Sequence, residues 1–301
     1  MNNIELESVK GQFEGYRRLF EDYLKETAPL RAEGVPTSLN ESMEYSLNAG
    51  GKRLRPVLCL AAAKQCGVEP RLALPMALGL EMVHTATLIH DDLPCMDDDD
   101  LRRGKPSNHA KFGETLAVLA GDALLAQAFI FPLENLKQIE AANVMTAIRL
   151  FSRAIGPAGV CGGQVLDMFN DHSVPDREYV RSIAALKTGA LIEAAVVSGA
   201  ALGCSKESII EKYSLYALHL GSAFQIVDDI LDVTSTAEEL GKTPGKDSEQ
   251  DKLTHVTAYG LEKAREMARA ESEAAKAALS GMLDGGDFLM QLPDYLVHRS
   301  H

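Results

Sequence analysis

The sequence predicts an all-α fold, a single large helical bundle that takes in residues 1–301 as one domain. Segments rich in Ala, Leu, Glu, Lys and Met follow one another, with Gly and Pro mostly between them. Alternating strand patterns are nearly missing, and an aromatic content of 6% without Trp is low for a sandwich or barrel. No repeat of roughly 20 to 50 residues and no long polar linker divides the chain, which favours one bundle over two modules.

Successive segments have the composition of helices. The first, residues 4–26, repeats aromatic and leucine residues at helical spacing. Residues 41–47 and 56–65 follow, and Pro56 suits a first helical turn. A longer segment, 72–92, ends before Pro94, where we expect the helix to break. The later segments are 115–131, 139–155, 178–202, 208–233 and 261–282.

The composition excludes several classes of protein. A net charge of −13 argues against a nucleic-acid partner, because surfaces that follow phosphates are positive. With 46% hydrophobic residues, the chain can build a large core and is not disordered. No uninterrupted apolar run reaches the ~18 residues of a membrane span. The two longest candidates, residues 117–131 and 190–204, are interrupted by Asp122 and Glu193. We therefore expect no membrane span, and the first residues lack the pattern of a secretory signal.

The five cysteines indicate a reducing location. Their number is odd and none forms a CxxC pair. Most lie in apolar segments, so we expect small core residues in a cytoplasmic protein.

A first aspartate cluster occupies residues 91–100, where six of the ten positions are Asp. Such dense like charges repel one another and raise each other's pKa, which a folded protein tolerates if a cation arrives. A solvated acidic loop is the plainer interpretation. However, the cluster follows an apolar helix and directly precedes Arg102, Arg103 and Lys105, an arrangement that indicates a site for a metal–phosphate complex.

A second cluster, Asp228, Asp229 and Asp232, lies within a strongly apolar helix. Unpaired carboxylates are expensive there, so a solvated face is an unsatisfactory explanation. Oxygen donors without His or Cys partners suit Mg²⁺, which takes one or two carboxylates and completes its shell with substrate phosphates. Together the two clusters predict a diphosphate held through Mg²⁺.

Seven short motifs follow one another between residues 39 and 299. They are GGKRLRP at 50–56, EMVH at 81–84, the first aspartate motif with RRG at 102–104, GDALL at 121–125, GGQ at 162–164 with Asp167, KTGA at 187–190, and the second aspartate motif. In this order they resemble the trans-type, short-chain isoprenyl diphosphate synthases of bacteria. The resemblance implies a bundle of the isoprenoid synthase type with a central cavity, in which isopentenyl diphosphate condenses head to tail with dimethylallyl, geranyl or farnesyl diphosphate.

The resemblance also implies the site residues. Three Mg²⁺ ions would be held by Asp91 and Asp97 with Asp92 close by, and by Asp228 with Asp229 and Asp232 in support. The allylic diphosphate would meet Arg102, Lys187, Lys242 and Lys252. Isopentenyl diphosphate, without metal, would meet Lys52, Arg55, His84 and Arg103. Oxygens of Thr188 and Gln225 would face the allylic cation, with Lys187 beside them. Gln164 and Asp167 would lie near the diphosphate, or form a structural polar pair.

A polar loop at 235–251 is expected to close over the substrate as a lid. Many relatives have Tyr after the Lys-x-Thr that follows this loop, whereas this chain has His255, which leaves the shape of the closed lid open.

Product length depends, in the family, on the fifth residue before the first aspartate, here Ala86 beside Thr87. Farnesyl-making relatives commonly have an aromatic residue there, so a small one favours geranylgeranyl diphosphate. A deeper residue such as Met82 or Val83, or one from 123–130, could still stop growth at farnesyl diphosphate.

Three competing hypotheses are a class I terpene cyclase, a catalytically silent regulatory subunit and a plain helical scaffold. A cyclase would lack the second diphosphate site, a silent subunit would typically lose an aspartate motif, and a scaffold does not account for buried aspartates. The family is usually homodimeric, so the resemblance also implies a homodimer.

Overall fold

The computed structural model describes residues 3–27, 34–169, 182–234 and 254–298, and these are helical nearly throughout. The first helices are α1 (Asn3–Thr27), α2 (Thr37–Leu47), α3 (Leu54–Gln65) and α4 (Pro70–Asp91). A short antiparallel hairpin, β1 (Leu101–Arg102) and β2 (Lys105–Pro106), precedes α5 (Asn108–Phe112), α6 (Glu114–Asn135), α7 (Ala141–Ile155) and α8 (Val160–Met168). A π-helix (Ala184–Gly189) leads into α9 (Ala190–Gly203), and α10 (Glu207–Thr234), α11 (His255–Tyr259), α12 (Leu261–Leu279) and α13 (Phe288–His298) complete the described chain.

The all-α prediction is confirmed, and the long predicted helices are present within a few residues. The chain leaves the helical state at Asp92, as Pro94 predicts. Four helices were not anticipated: α5, α8, α11 and α13. The first three are shorter than the roughly 11 residues over which apolar periodicity is recognised, and Pro293 interrupts the pattern of α13. Part of the predicted segment 178–202 is a π-helix, which periodicity cannot distinguish from an α-helix.

The main core is a cluster of buried apolar side chains that runs from Val9 in α1 to Leu296 in α13, and a smaller cluster joins α10 to α12. The centre of the main core is formed by α3, α4 and α9, which are apolar on nearly every face because neighbours surround them. Small residues bring their backbones together. A Cβ at Gly199 would lie 2.9 Å from the Cα of Cys59, so only Gly permits this approach between α9 and α3.

Three helical segments are long and apolar enough to cross a membrane, judged by length and composition alone: Pro70–Asp91, Glu114–Asn135 and Ala185–Gly203. Counting uninterrupted runs does not find these segments, because a mean over a helix tolerates the single charge that ends such a run. The absence of a membrane span stays a prediction. The most apolar windows of the first and third are 78% and 67% buried inside the protein, whereas that of α6 is only 39% buried. Of these three segments, α6 thus leaves the most apolar surface uncovered.

The cysteines are less uniform than expected. Cys59 is buried and Cys66 and Cys204 are partly so, but Cys95 and Cys161 are exposed. The prediction of core residues is wrong for these two, since each lies at a helix end or in the turn after α4 rather than on a packed face.

Candidate active site

The predicted site residues within the described chain form one electrostatic network at the C-terminal end of α4. Lys52 Nζ, in the loop before α3, lies 3.9 Å from Asp228 Oδ1 in α10. Lys187, in the π-helix, interacts electrostatically with the carboxylates of Asp91 and Asp97. The fold therefore brings together motifs that are far apart in sequence.

Asp91, the last residue of α4, is held beside Asp97 by the backbone. The chain turns back after the helix, and the N–H of Asp97 donates to the Asp91 carbonyl oxygen at 2.8 Å. Burial raises the pKa of the Asp91 carboxyl to about 6, and the carboxylates of Asp97 and Asp92 push it the same way, against the attraction of Lys187. A divalent cation would relieve this repulsion.

Asp92 has different surroundings from its neighbour. It is 2% exposed, and its two oxygens accept from Arg102 Nε at 3.0 and 3.2 Å, with Arg102 Nη2 donating as well. Burial raises the pKa of Asp92, while the hydrogen bonds from Arg102 lower it. The carboxylate of Asp92 therefore fixes Arg102, which the β1–β2 hairpin carries, instead of facing open space.

The second motif presents one partly exposed aspartate and two buried ones. Asp228 is partly exposed, whereas Asp229 and Asp232 are buried. Both oxygens of Asp229 are occupied: Oδ1 accepts from Gln225 Nε2 at 2.9 Å, and Oδ2 accepts from the N–H and Nδ1 of His255 at 2.8 and 2.7 Å. Asp228 is thus the member that opens toward a ligand. Sequence reasoning assigned His255 no role; its only signal was the departure from the family pattern.

The donor set fits Mg²⁺ that arrives with a diphosphate. Within the described ranges, no group of three His, Cys, Asp or Glu side chains forms a ready-made metal site. Mg²⁺ keeps several waters and shares its shell with substrate phosphates, so a preformed cage is not required. The accessible donors, Asp91, Asp97 and Asp228, are all carboxylates, as this cation prefers.

A basic pocket lies beside the loop before α3. Gly51 has φ = 121°, and a Cβ there would come within 2.6 Å of the Arg103 guanidinium, so Gly is required. Arg55 Nε is buried without a hydrogen-bond partner among the residues described. Burial, and then Arg55 and Arg103, lower the pKa of His84 well below its usual value. His84, grouped with the cations by sequence, is therefore a neutral donor until an anion arrives.

Arg53 organises this pocket, and sequence reasoning assigned it no role. Its backbone is left-handed (φ = 52°), and its buried guanidinium donates to Glu81 Oε1 at 2.7 Å and to Glu21 Oε1 at 2.8 Å. A third bond goes to the Leu47 carbonyl oxygen at 2.9 Å. Two arginines of one motif thus differ: Arg53 is fully paired, and Arg55 is not. This difference in hydrogen bonding depends on tertiary contacts, so the motif alone does not reveal it.

Lys187 and Thr188 lie side by side in the π-helix, a form often found at functional sites. Lys187 Nζ donates to Asp167 Oδ2 of α8. Burial lowers the pKa of Lys187, but the carboxylates of Asp167, Asp91 and Asp97 together outweigh burial, so the net pKa is raised. A Cβ at Gly163 would lie 2.8 Å from Lys187 Cα, so α8 can press against the π-helix only through Gly.

The remaining predicted residues have varied positions. Gln164 Nε2 is buried and lacks a hydrogen-bond partner in the part of the chain that the structure describes. Ala86 is fully buried, whereas Thr87 is partly exposed with Oγ1 donating to the His84 carbonyl oxygen at 2.9 Å. Lys242 and Lys252, with the whole of the expected lid at 235–251, lie outside the described residues.

Known proteins are similar to this chain in sequence and in fold. Residues 36–280 match the model of the polyprenyl synthetase family. The chain is 43% identical to a geranylgeranyl diphosphate synthase of Cyanophora paradoxa, over 95% of this chain and 94% of that protein. It is 45% identical to a dimethylallyltranstransferase of Fischerella ambigua, over 89% and 78% of the two chains. An apo crystal structure of an FPP/GFPP synthase from Zymomonas mobilis superposes with a TM-score of 0.83, at 34% identity, covering 97% and 99% of the two chains.

Proposed function

This chain belongs to the polyprenyl synthetase family and is a prenyltransferase, and on that premise we propose that it condenses isopentenyl diphosphate head to tail with allylic diphosphates. The allylic substrates are dimethylallyl, geranyl and farnesyl diphosphate. The observation that carries the proposal is the contrast between the carboxylates of the aspartate motifs and the basic residues beside the loop before α3. Carboxylates at Asp91, Asp97 and Asp228 suit a metal-bound diphosphate, while the buried, unsatisfied Nε of Arg55 in the described chain suits a diphosphate without metal.

The allylic diphosphate is proposed to lie between the aspartate motifs. Bound Mg²⁺, three ions by family resemblance, would neutralise this diphosphate and stabilise pyrophosphate as it departs. Asp91, Asp97 and Asp228 would hold the ions, and Asp92, Asp229 and Asp232 would support these ligands. Arg102 and Lys187, fixed by their carboxylate partners, donate to the diphosphate oxygens. Lys242 and Lys252 are proposed as further partners of the same group.

Isopentenyl diphosphate is proposed to bind in the basic pocket. Arg55 and Arg103 supply guanidinium donors, which match phosphate geometry. Lys52, whose side chain is exposed, adds a positive charge at the edge of this pocket. His84 donates from its neutral imidazole, and an anion beside it raises the pKa of this imidazole.

Carbon–carbon bond formation needs no protein nucleophile. The bond from the allylic carbon to the diphosphate oxygen breaks, and the electron pair leaves with pyrophosphate. The double bond of isopentenyl diphosphate attacks the resulting cation to form the 1′–4 bond, and the released pyrophosphate takes the proton that is lost. The oxygens of Thr188 and Gln225 stabilise the cation as dipoles without trapping it.

Geranylgeranyl diphosphate is the proposed main product, and farnesyl diphosphate is the second candidate. Ala86 and Thr87 are small, and several relatives are named geranylgeranyl diphosphate synthases. Each additional isoprene unit buries further CH₂ groups, worth about 0.8 kcal/mol each where space allows.

The proposed working form is a cytoplasmic homodimer in which each chain is one domain, without nucleic-acid partners or a membrane span. Support for assembly comes from α6, whose exposed face carries Val118, Leu119, Ile130 and Leu133. Apolar area of this kind on one helix marks an interaction surface.

The decisive experiment is incubation of the protein with isopentenyl diphosphate, an allylic diphosphate and Mg²⁺, with and without a chelator. We expect prenyl products that chelation abolishes. Asp91→Ala and Asp228→Ala should each lower turnover by roughly several orders of magnitude, because charge stabilisation of the leaving group is lost. Asp100→Ala, an exposed aspartate of the same cluster, is the matched control and should be near wild type. A cyclised terpene as the product, or full activity of either mutant, would refute the proposal.

A further inference from the structure

An unassigned contact joins α11 to the second aspartate motif. His255, the first residue of α11, is 2% exposed, and both its backbone N–H and its Nδ1 contact Asp229 Oδ2. Thr254 caps the helix, since its side chain accepts from the N–H of Thr257. The N–H of His255 lies in the first turn, where no intrahelical acceptor exists, and Asp229 supplies one.

The same carboxylate fixes the orientation of Gln225, one turn earlier in α10. An ionised carboxylate only accepts hydrogen bonds, so the contact with Asp229 Oδ1 turns the NH₂ of Gln225 toward Asp229 and its carbonyl oxygen away. By the same reasoning the His255 ring carries its proton on Nδ1. A continuous chain of hydrogen bonds therefore runs from His255 through Asp229 to the Gln225 amide.

We propose that His255 is a positioning residue that, acting through Asp229, keeps the carbonyl oxygen of Gln225 directed to the reacting allylic cation. This inference rests on the proposed function. Without the imidazole donor, the Asp229 carboxylate keeps the backbone N–H of His255 but is held by one hydrogen bond fewer, so it rotates more easily and the Gln225 amide inverts more often. An inverted amide presents its NH₂, the positive end of its dipole, to a cation, which is destabilising. His255 itself does not touch the substrate.

The surroundings of α11 make the proposal testable without unfolding the helix. Val256 packs on the apolar cluster that joins Ile226 and Val227 of α10 to α12. The backbone bond from His255 to Asp229 also survives any side-chain change. His255→Leu thus removes the imidazole donor together with its stacking on the Tyr259 ring, whose centroid lies 6.4 Å away, and His255→Asn returns an N–H at a similar distance from the backbone.

The test is a double-mutant cycle on kcat with His255→Leu, Gln225→Ala and the double variant. His255→Leu should lower kcat roughly ten- to hundredfold, because a misplaced group near the reacting atoms is that costly. His255→Asn should recover most of the loss. If His255 acts through Gln225, the double variant should be no slower than Gln225→Ala alone. The dissociation constant of an unreactive allylic thiodiphosphate and the KM for isopentenyl diphosphate should stay within about twofold, since the effect belongs to the transition state.

His219→Leu is the matched control, because His219 Nδ1 contacts Glu271 Oε2 at 2.7 Å between α10 and α12, in a second histidine–carboxylate pair. This variant should lose some thermal stability and leave kcat unchanged. Multiplicative effects in the cycle, or weakened analogue binding in His255→Leu, would overturn the inference while leaving the proposed function standing. An inactive wild-type protein would refute the proposed function itself, and the inference with it.

Discussion

Neighbouring residues of like charge in this site differ in whether the fold pairs them. Asp92 is buried against Arg102, whereas Asp91 is left with an unfavourable environment for its charge. Arg53 is fully paired, while Arg55 keeps a buried Nε without a partner in the described chain. The paired members hold the loops in place, and the others carry the charge that a ligand must satisfy.

Arg55 and Arg102 should separate kinetically. Arg55→Ala should mainly raise the KM for isopentenyl diphosphate, because that site has no metal to compensate for the lost guanidinium. Arg102→Ala should mainly impair the allylic substrate. Steady-state kinetics with each substrate varied in turn checks this, with Arg265→Ala, an exposed arginine paired to Glu262, as control. The reverse pattern would show that the two diphosphates are assigned to the wrong cations.

Asp91 should reduce stability at neutral pH when metal and substrate are absent. Its pKa in the folded protein, about 6, exceeds the usual 3.8, so between these values the folded state binds more protons than the unfolded state. The free energy of unfolding therefore falls as pH rises through this window. Asp91→Asn should raise it at pH ~7.5 by at most about 3 kcal/mol, and the gain should shrink toward pH ~4.

Urea denaturation with a chelator present, at several pH values, measures this difference. Asp100→Asn, an exposed aspartate, should change little. A gain for Asp91→Asn that grows as the pH falls would contradict the assigned direction of the pKa shift.

Among the elements, α8 and the π-helix form the tightest functional contact. Gly163 and Asp167, one turn apart in α8, share the face that meets Lys187. Gly163→Ala would place a methyl group 2.7 Å from the carbonyl carbon of Leu186, so the π-helix must move away. We expect a loss of activity of roughly tenfold or more from displacement of Lys187 and Thr188.

Initial rates and thermal melting of Gly163→Ala would check this displacement. Gly15→Ala is the control, because nothing lies within 4 Å of a Cβ there and Ala is the better helix former. Unchanged turnover in Gly163→Ala would mean that the π-helix tolerates the shift.

The α4–α6 pair is proposed to set the product length. Ala86 is fully buried, so a larger side chain must displace its neighbours, at a cost of about 1–3 kcal/mol. Ala86→Tyr should nonetheless shorten the main product to farnesyl diphosphate, because the ring fills space that the growing chain needs. Chromatography of the dephosphorylated products measures this. Mostly farnesol from wild type, unchanged in the variant, would show that Ala86 does not set the length.

For the whole molecule, the exposed apolar face of α6 is the feature that an isolated chain leaves unexplained. Leu119 and Leu133 are 52% and 50% exposed. In the proposed homodimer a charge on this face would be buried without a partner, so Leu119→Lys combined with Leu133→Lys should give monomers. Sedimentation velocity measures the mass, with Leu218→Lys on α10 as control. A monomeric wild type would refute the homodimer.

The sequence by itself determined the helical class, most of the long helices and the family, because helix periodicity and short motifs are local properties. It also identified the two aspartate clusters, since dense carboxylates beside apolar segments require compensation. The sequence did not predict the short helices α5, α8 and α11, because they are shorter than the roughly 11 residues over which periodicity is recognised.

Only the tertiary structure decided which charges are paired. Asp92 and Arg102 are 10 residues apart, Arg53 and Glu81 are 28 apart, and Asp229 and His255 are 26 apart. No local pattern reports such separations, because the energy of a charge depends on what surrounds it after packing. Identical residues in one motif therefore became a buried anchor or an open ligand group according to the contacts that the fold supplies.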